Sequence, residues 1–95
     1  MNTTTMTGEE IRQGVIKTII RALGIIESRQ GLVVPTAKLT GDLGADTLDR
    51  MDLAAFLQED FGVRVLPEQA EAFQTVQEVI DFVTERARLL EQQAA

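Results

Sequence analysis

Two stretches of this chain place aliphatic side chains at alternating three- and four-residue steps. One runs Ile11, Val15, Ile19, Ala22, Leu23 and Ile26; the other runs Val76, Val79, Ile80, Val83, Ala87 and Leu90. That spacing repeats on one face of an α-helix and on no face of a strand. Both stretches open with the same device. Thr7-Gly8-Glu9-Glu10 and Thr75-Val76-Gln77-Glu78 each place a glutamate three residues after a threonine. In such a capping box, hydroxyl and carboxylate each accept a backbone N–H that the helix itself leaves unpaired. Gly24 is the expected stop of the first helix, since glycine enters the left-handed conformation without a Cβ penalty. A helix with one apolar stripe is marginal alone and gains its stability by packing that stripe. The chain between the two helices is therefore expected to complete a bundle.

That middle region divides in two. Residues 24–46 show no sustained period and contain Gly31, Pro35, Gly41 and Gly44. A loop this long in a small domain is usually functional or disordered. Leu32, Val33, Val34, Leu39 and Leu43 predict that it packs on the body of the protein, with Leu39 and Leu43 as its main anchors. A second helix is predicted from Asp46 or Thr47 to about Phe61, stopped by Gly62. Leu53, Phe56, Leu57 and Phe61 turn to the core, which leaves Leu48, Met51 and Ala55 nearer the surface. Val63 to Leu66 reads as an extended link, and Pro67 suits the first turn of a short helix to Ala72. Val63, Val65 and Phe73 complete the predicted core. The expected fold is all-α: an antiparallel bundle of three longer helices and one short one, with a long loop after the first. The single domain should span 7–90, between a disordered N-terminus at 1–6 and a frayed tail at 91–95.

Composition narrows the chemistry. The 95 residues include no cysteine and no histidine. That removes disulfides, Cys/His zinc sites and any histidine-activated nucleophile. A general base near neutral pH would have to be a carboxylate or lysine with a strongly shifted pKa, so an enzyme is not expected. The net charge is −6, from 15 acidic and 9 basic residues. Such a field disfavours nucleic acid and anionic membranes and suits basic partner proteins. No apolar run is long enough for a membrane span, and MNTTTMTGEE lacks the basic and apolar parts of a signal peptide. A cytoplasmic monomer is expected. A calcium loop beginning at Asp42 fails because Gly44 and Leu53 fall where oxygen ligands are needed, and no metal site is predicted.

The chemistry-bearing segment is GDLGADTLDRMDL, residues 41–53. With the helix pattern around it, it resembles the acyl carrier protein family, in which Asp-Ser-Leu opens the second helix after Leu-Gly. Here the run is Asp42-Leu43-Gly44-Ala45-Asp46-Thr47-Leu48-Asp49. The likeness extends from about Ile16 to Val83, through Ala22-Leu23-Gly24, Glu59-Asp60-Phe61-Gly62 and Thr75-Val76. The resemblance implies a 4′-phosphopantetheine arm on a phosphodiester, carrying an acyl group as a thioester for a biosynthetic pathway of the fatty-acid or polyketide kind. By position Thr47 is the attachment residue, where the family pattern has serine.

The residues also speak for themselves. A hydroxyl at a helix N-terminus lies among free N–H groups and the positive end of the dipole, which favour an attached phosphate. Asp and Thr are equally good plain N-caps, worth about 1 kcal/mol, and that role can coexist with attachment. The extra methyl of threonine stiffens χ1 and crowds the oxygen a transferase must align. Two readings of Thr47 thus stand: an attachment point, or part of an unmodified carrier-like interaction module. The resemblance further implies docking through Asp46, Leu48, Asp49, Met51 and Asp52, an apolar spot rimmed by acid. The partners it implies are a phosphopantetheinyl transferase and acyl-transferring or condensing enzymes with basic patches. Arg50 within that segment reads as a charge that narrows partner choice.

Overall fold

The computed structural model describes residues 6–94, with side chains described through Leu90. Most of the expected disordered N-terminus and the side chains of the expected frayed tail therefore lie outside the described residues. Four α-helices follow in chain order: α1 (Gly8–Leu23), α2 (Thr47–Phe61), α3 (Pro67–Ala72) and α4 (Val76–Ala94). The long connection after α1 contains one 3-10 turn, Glu27–Leu32.

The helix ends follow from their residues. Thr7 Oγ1 accepts the Glu10 N–H at 3.1 Å, and a Glu10 carboxylate oxygen accepts the Thr7 N–H at 2.8 Å. At α4 the Thr75 hydroxyl accepts the Glu78 N–H at 3.2 Å, but the Glu78 carboxylate reaches the Gln74 N–H, at 2.9 Å. The second box is thus closed one residue further out than predicted. Gly24 and Gly62 close α1 and α2 at φ values of 63° and 70°, conformations that cost a residue with a Cβ roughly 1 kcal/mol or more.

α1 and α2 run antiparallel. The Gly14 backbone of α1 faces the Phe61 ring at the end of α2, while the Arg21 guanidinium, two turns on, lies 4.5 Å from the centre of the Phe56 ring. α1 also packs on α4, and α2 touches both α3 and α4. Val15, Ile19, Leu53, Leu57, Val63, Val76, Val79 and Val83 are all within 1% of complete burial. Phe73 and Phe82 meet edge to face, with centroids 5.3 Å apart, a favoured aromatic geometry.

The long loop is fastened by backbone bonds. The Leu39 N–H donates to the Gln74 carbonyl, Val76 N–H to Ala37 and Gln77 N–H to Pro35, all within 3.0 Å. Val33, Ala37, Leu39 and Ala45 are buried and Leu43 is half-buried. Leu32 and Val34, expected to pack, are exposed instead. The 3-10 turn accounts for part of this, because its tighter winding shows successive side chains to different sides. Ile26 lies beyond the left-handed Gly24 that ends α1, off the α1 stripe, and also stands in solvent.

Candidate functional site

The candidate site is the N-terminal turn of α2. Asp46 is the N-cap: its Oδ1 accepts the Asp49 N–H at 2.8 Å, and Asp49 Oδ2 accepts the Asp46 N–H at 3.1 Å. This reciprocal pair is a capping box built from two aspartates. Thr47 is the first helical residue and is exposed. Among the described residues its hydroxyl has no hydrogen-bond partner. The cap and the hydroxyl are therefore separate resources, with the cap supplied wholly by Asp46 and Asp49.

The two capping carboxylates carry negative charge at the point where an attached phosphate would also lie. They offset part of the dipole's attraction for such a group, each effect being about 0.3–1 kcal/mol at an exposed helix end. Phosphopantetheine would be held here by a covalent bond, so the site needs reach and a free oxygen more than affinity. Thr47 offers both. Its neighbours Asp46, Leu48 and Gly44 are exposed, which leaves room for a flexible arm.

At 100° per residue, Thr47, Leu48, Met51, Asp52 and Ala55 fall on one side of α2. Leu48 is 71% exposed and Met51 53% exposed, and Asp52 and Ala55 are exposed beside them. Leu53 and Leu57 fall on the opposite side and are buried. Asp49 is half-buried and engaged in the cap, so Asp52 is the acid that lies directly on the open face.

Arg50 is not part of that face. It shares the core-facing stripe with Leu53, Ala54 and Leu57, at three-, four- and seven-residue steps. Its Nη1 donates to the Phe73 carbonyl at 2.5 Å and the Ala70 carbonyl at 2.9 Å, with the Glu71 carbonyl at 3.4 Å. Its Nη2 donates to Thr40 Oγ1 at 3.0 Å. The sequence did hold a signal for this: an arginine in phase with buried leucines needs acceptors inside the fold.

At the other end of α2, Asp60 Oδ2 accepts the hydroxyl of buried Thr18 at 2.6 Å, and Asp60 Oδ1 accepts Arg21 Nη2 at 3.1 Å. Partial burial pushes the Asp60 pKa up, but the Thr18 and Arg21 contacts outweigh it and hold the carboxyl below its ordinary value. A cavity of about 250 Å³ lined by Gly62, Val63, Arg64, Arg86, Leu89 and Leu90 opens near this same end, far from Thr47. Among the described residues no group of three or more acidic, histidine or cysteine side chains is placed to hold a metal, and no helix is long and apolar enough to cross a membrane.

Comparison with known proteins agrees with this geometry. The family model described as the phosphopantetheine attachment site matches residues 13–83. An acyl carrier protein of Chlorobium luteolum is 36% identical over 81 residues, which cover 85% of this chain and all of that protein. An acyl carrier protein of Thermosynechococcus vestitus is 46% identical over 54 residues, covering 57% of this chain and 67% of that protein. The chain belongs to the acyl carrier protein family, whose members are carriers rather than catalysts and whose prosthetic group is 4′-phosphopantetheine.

Proposed function

We propose that this protein carries an acyl group as a thioester on a 4′-phosphopantetheine arm joined to Thr47, and moves it between biosynthetic enzymes in the cytoplasm. The observation that carries the proposal is the free hydroxyl of Thr47, exposed at the first position of α2 while Asp46 and Asp49 supply the cap. Attachment gives up no hydrogen bond that the Thr47 hydroxyl makes among the described residues and leaves the Asp46–Asp49 cap in place. The thiol at the end of the arm supplies the reactive group that a chain without cysteine lacks. Partner enzymes perform the chemistry.

Docking falls to the open face of α2. Leu48 and Met51 form the apolar centre, Asp52 its nearest acidic rim, and Asp46 and Asp49 the charge at the helix mouth. Basic patches on a phosphopantetheinyl transferase and on acyl-transferring or condensing enzymes complement that pattern.

The β-methyl of Thr47 favours one competing reading, a carrier-like interaction module without an arm. Intact mass separates the two. The protein is incubated with coenzyme A and a promiscuous phosphopantetheinyl transferase, with Thr47→Ser and Thr47→Ala in parallel. The carrier reading expects wild type and Thr47→Ser to gain one phosphopantetheinyl group, mapped to position 47, and Thr47→Ala to gain none. Modification of the serine variant alone would hand the lead to the interaction module.

A further inference from the structure

We propose that Arg50 is a positioning residue that fixes the loop presenting Thr47 by tying it to the end of α3. The proposal rests on the attachment reading of Thr47. Arg50 Nη1 holds the carbonyls of Ala70 and Phe73, and more weakly that of Glu71, which the last turn of α3 cannot pair itself. Capping α3 would require only that one nitrogen. The other, Nη2, donates to Thr40 Oγ1, and Thr40 Oγ1 donates in turn to the Ala45 carbonyl at 3.1 Å. Ala45 is buried, donates its own N–H to the Leu39 carbonyl at 2.8 Å, and directly precedes the N-cap Asp46. A continuous hydrogen-bonded path thus runs from α3 through Arg50 and Thr40 to the residue that sets the start of α2.

The geometry requires arginine. The planar guanidinium spreads its donors in a fixed fork, whereas an ammonium is a compact point. A lysine can reach the α3 carbonyls or Thr40 and cannot hold both in place. The docking side chains Leu48, Met51 and Asp52 stand on the other side of α2, so loosening this path leaves partner binding alone. It moves the Ala45–Asp46–Thr47 backbone and with it the oxygen that must meet phosphorus in line. Small misplacements of a reacting atom cost up to about a hundredfold in rate.

The test compares Arg50→Met, Arg50→Lys and Thr40→Val, each in the Thr47 chain and in its Thr47→Ser variant. Transfer from coenzyme A is measured as separate kcat and KM, and amide hydrogen exchange is followed over residues 39–47 and 67–74. Thr40→Val is the decisive variant, because it cuts the path while leaving the α3 cap in place. We expect it to speed exchange at 39–47 only, and to lower kcat about tenfold or more with KM unchanged. Arg50→Met should do the same and also speed exchange at 67–74, with Arg50→Lys between them. Should Thr40→Val transfer at the parental kcat, or exchange at the parental rate, the proposal is overturned even if Arg50→Met fails to fold. Were neither the Thr47 chain nor its Thr47→Ser variant modified, the attachment reading would fall, and exchange alone would decide the positioning role.

Discussion

The two ends of α2 look alike in sequence and are used in opposite ways. Asp46, Asp49 and Asp52 lie at its start, Glu59 and Asp60 at its end. At the start the helix dipole welcomes negative charge, and two of the three acids cap the helix with their own carboxylates. No cation is required there, and the outer face remains open. At the end the dipole opposes negative charge, and α2 has no basic residue in its last turn. The cation comes from α1 instead. Arg21 pairs with Asp60 at 3.1 Å, stands 3.8 Å from Glu59 and covers the Phe56 ring, and Thr18 adds a hydroxyl. The dipole-favoured acids need no cation from elsewhere in the fold, whereas the dipole-opposed acids are tied to α1.

The largest expected effects test whether the two faces of α2 are as different as their burial. Leu57 is completely buried, and Leu57→Ala should cost about 2–5 kcal/mol in urea unfolding through the cavity it leaves. Met51→Ala should change stability by less than about 0.5 kcal/mol, as surface substitutions do, yet weaken binding to a basic partner enzyme. Equal stability losses at the two positions would erase the distinction between a core face and an open face.

Asp52→Lys probes the open end by charge. Its side chain makes no ion pair among the described residues, so the fold should keep its thermal midpoint or gain slightly from the relieved repulsion at the helix mouth. Association with a basic partner should slow about tenfold at low salt and recover toward wild type as salt is added, since rim charges act mainly on encounter. Unchanged association at low salt would mean that this face does not dock.

How far these roles could be read from residues alone differs along the helix. The helices, their caps and their glycine stops follow local rules that Thr7, Glu10, Gly24 and Gly62 state in sequence, and the structure bears them out. The exposure of Leu48 and Met51 was legible from the two apolar faces of one helix. Arg50 was not read correctly, because its sequence neighbours are the acids at the start of α2 while its carbonyl acceptors on α3 lie twenty or more residues away and Thr40 lies ten residues back in the loop. The clasp of Arg21 and Thr18 on Asp60 is likewise invisible to any local rule, since 39 and 42 residues separate the partners. Ala37 and Ala45 were missed as core because a small side chain carries no periodic signal; both are buried, Ala37 where its carbonyl takes the Val76 N–H of α4 and Ala45 where its N–H bonds Leu39 within the loop.

The clamped end should announce itself in acid. Folding lowers the pKa of Asp60, so the ionised form is the one the native state favours. Its contribution is therefore fully present above the ordinary aspartate value of about 3.9, and is lost as pH falls through the lower folded value. Asp60→Asn removes that dependence and should cost about 1 kcal/mol at neutral pH, the scale of a partly exposed charged hydrogen bond. Its stability curve should converge on wild type below that range. A constant gap between the two curves down to about pH 2, below the ordinary aspartate range, would show that Asp60 acts by shape rather than by charge.

Salt offers the smallest effect and the most direct comparison of the two ends. Added salt screens repulsion among Asp42, Asp46, Asp49 and Asp52 at the open end, where none of them forms an ion pair among the described residues. The same salt weakens the Arg21–Asp60 pair at the other end. Within wild type the two responses oppose each other, each worth about 0.5 kcal/mol at partly exposed sites. In Asp60→Asn the relief at the open end is opposed only by the longer, more exposed Arg21–Glu59 contact at the other end. The thermal midpoint of the variant should therefore rise with salt by about 2–4 °C more than that of wild type. Parallel salt responses would place the screened charges elsewhere and remove the electrostatic half of the contrast between the two ends. A steeper response in wild type would reverse it, making the acids at the helix mouth the paired set and the Arg21 clasp incidental.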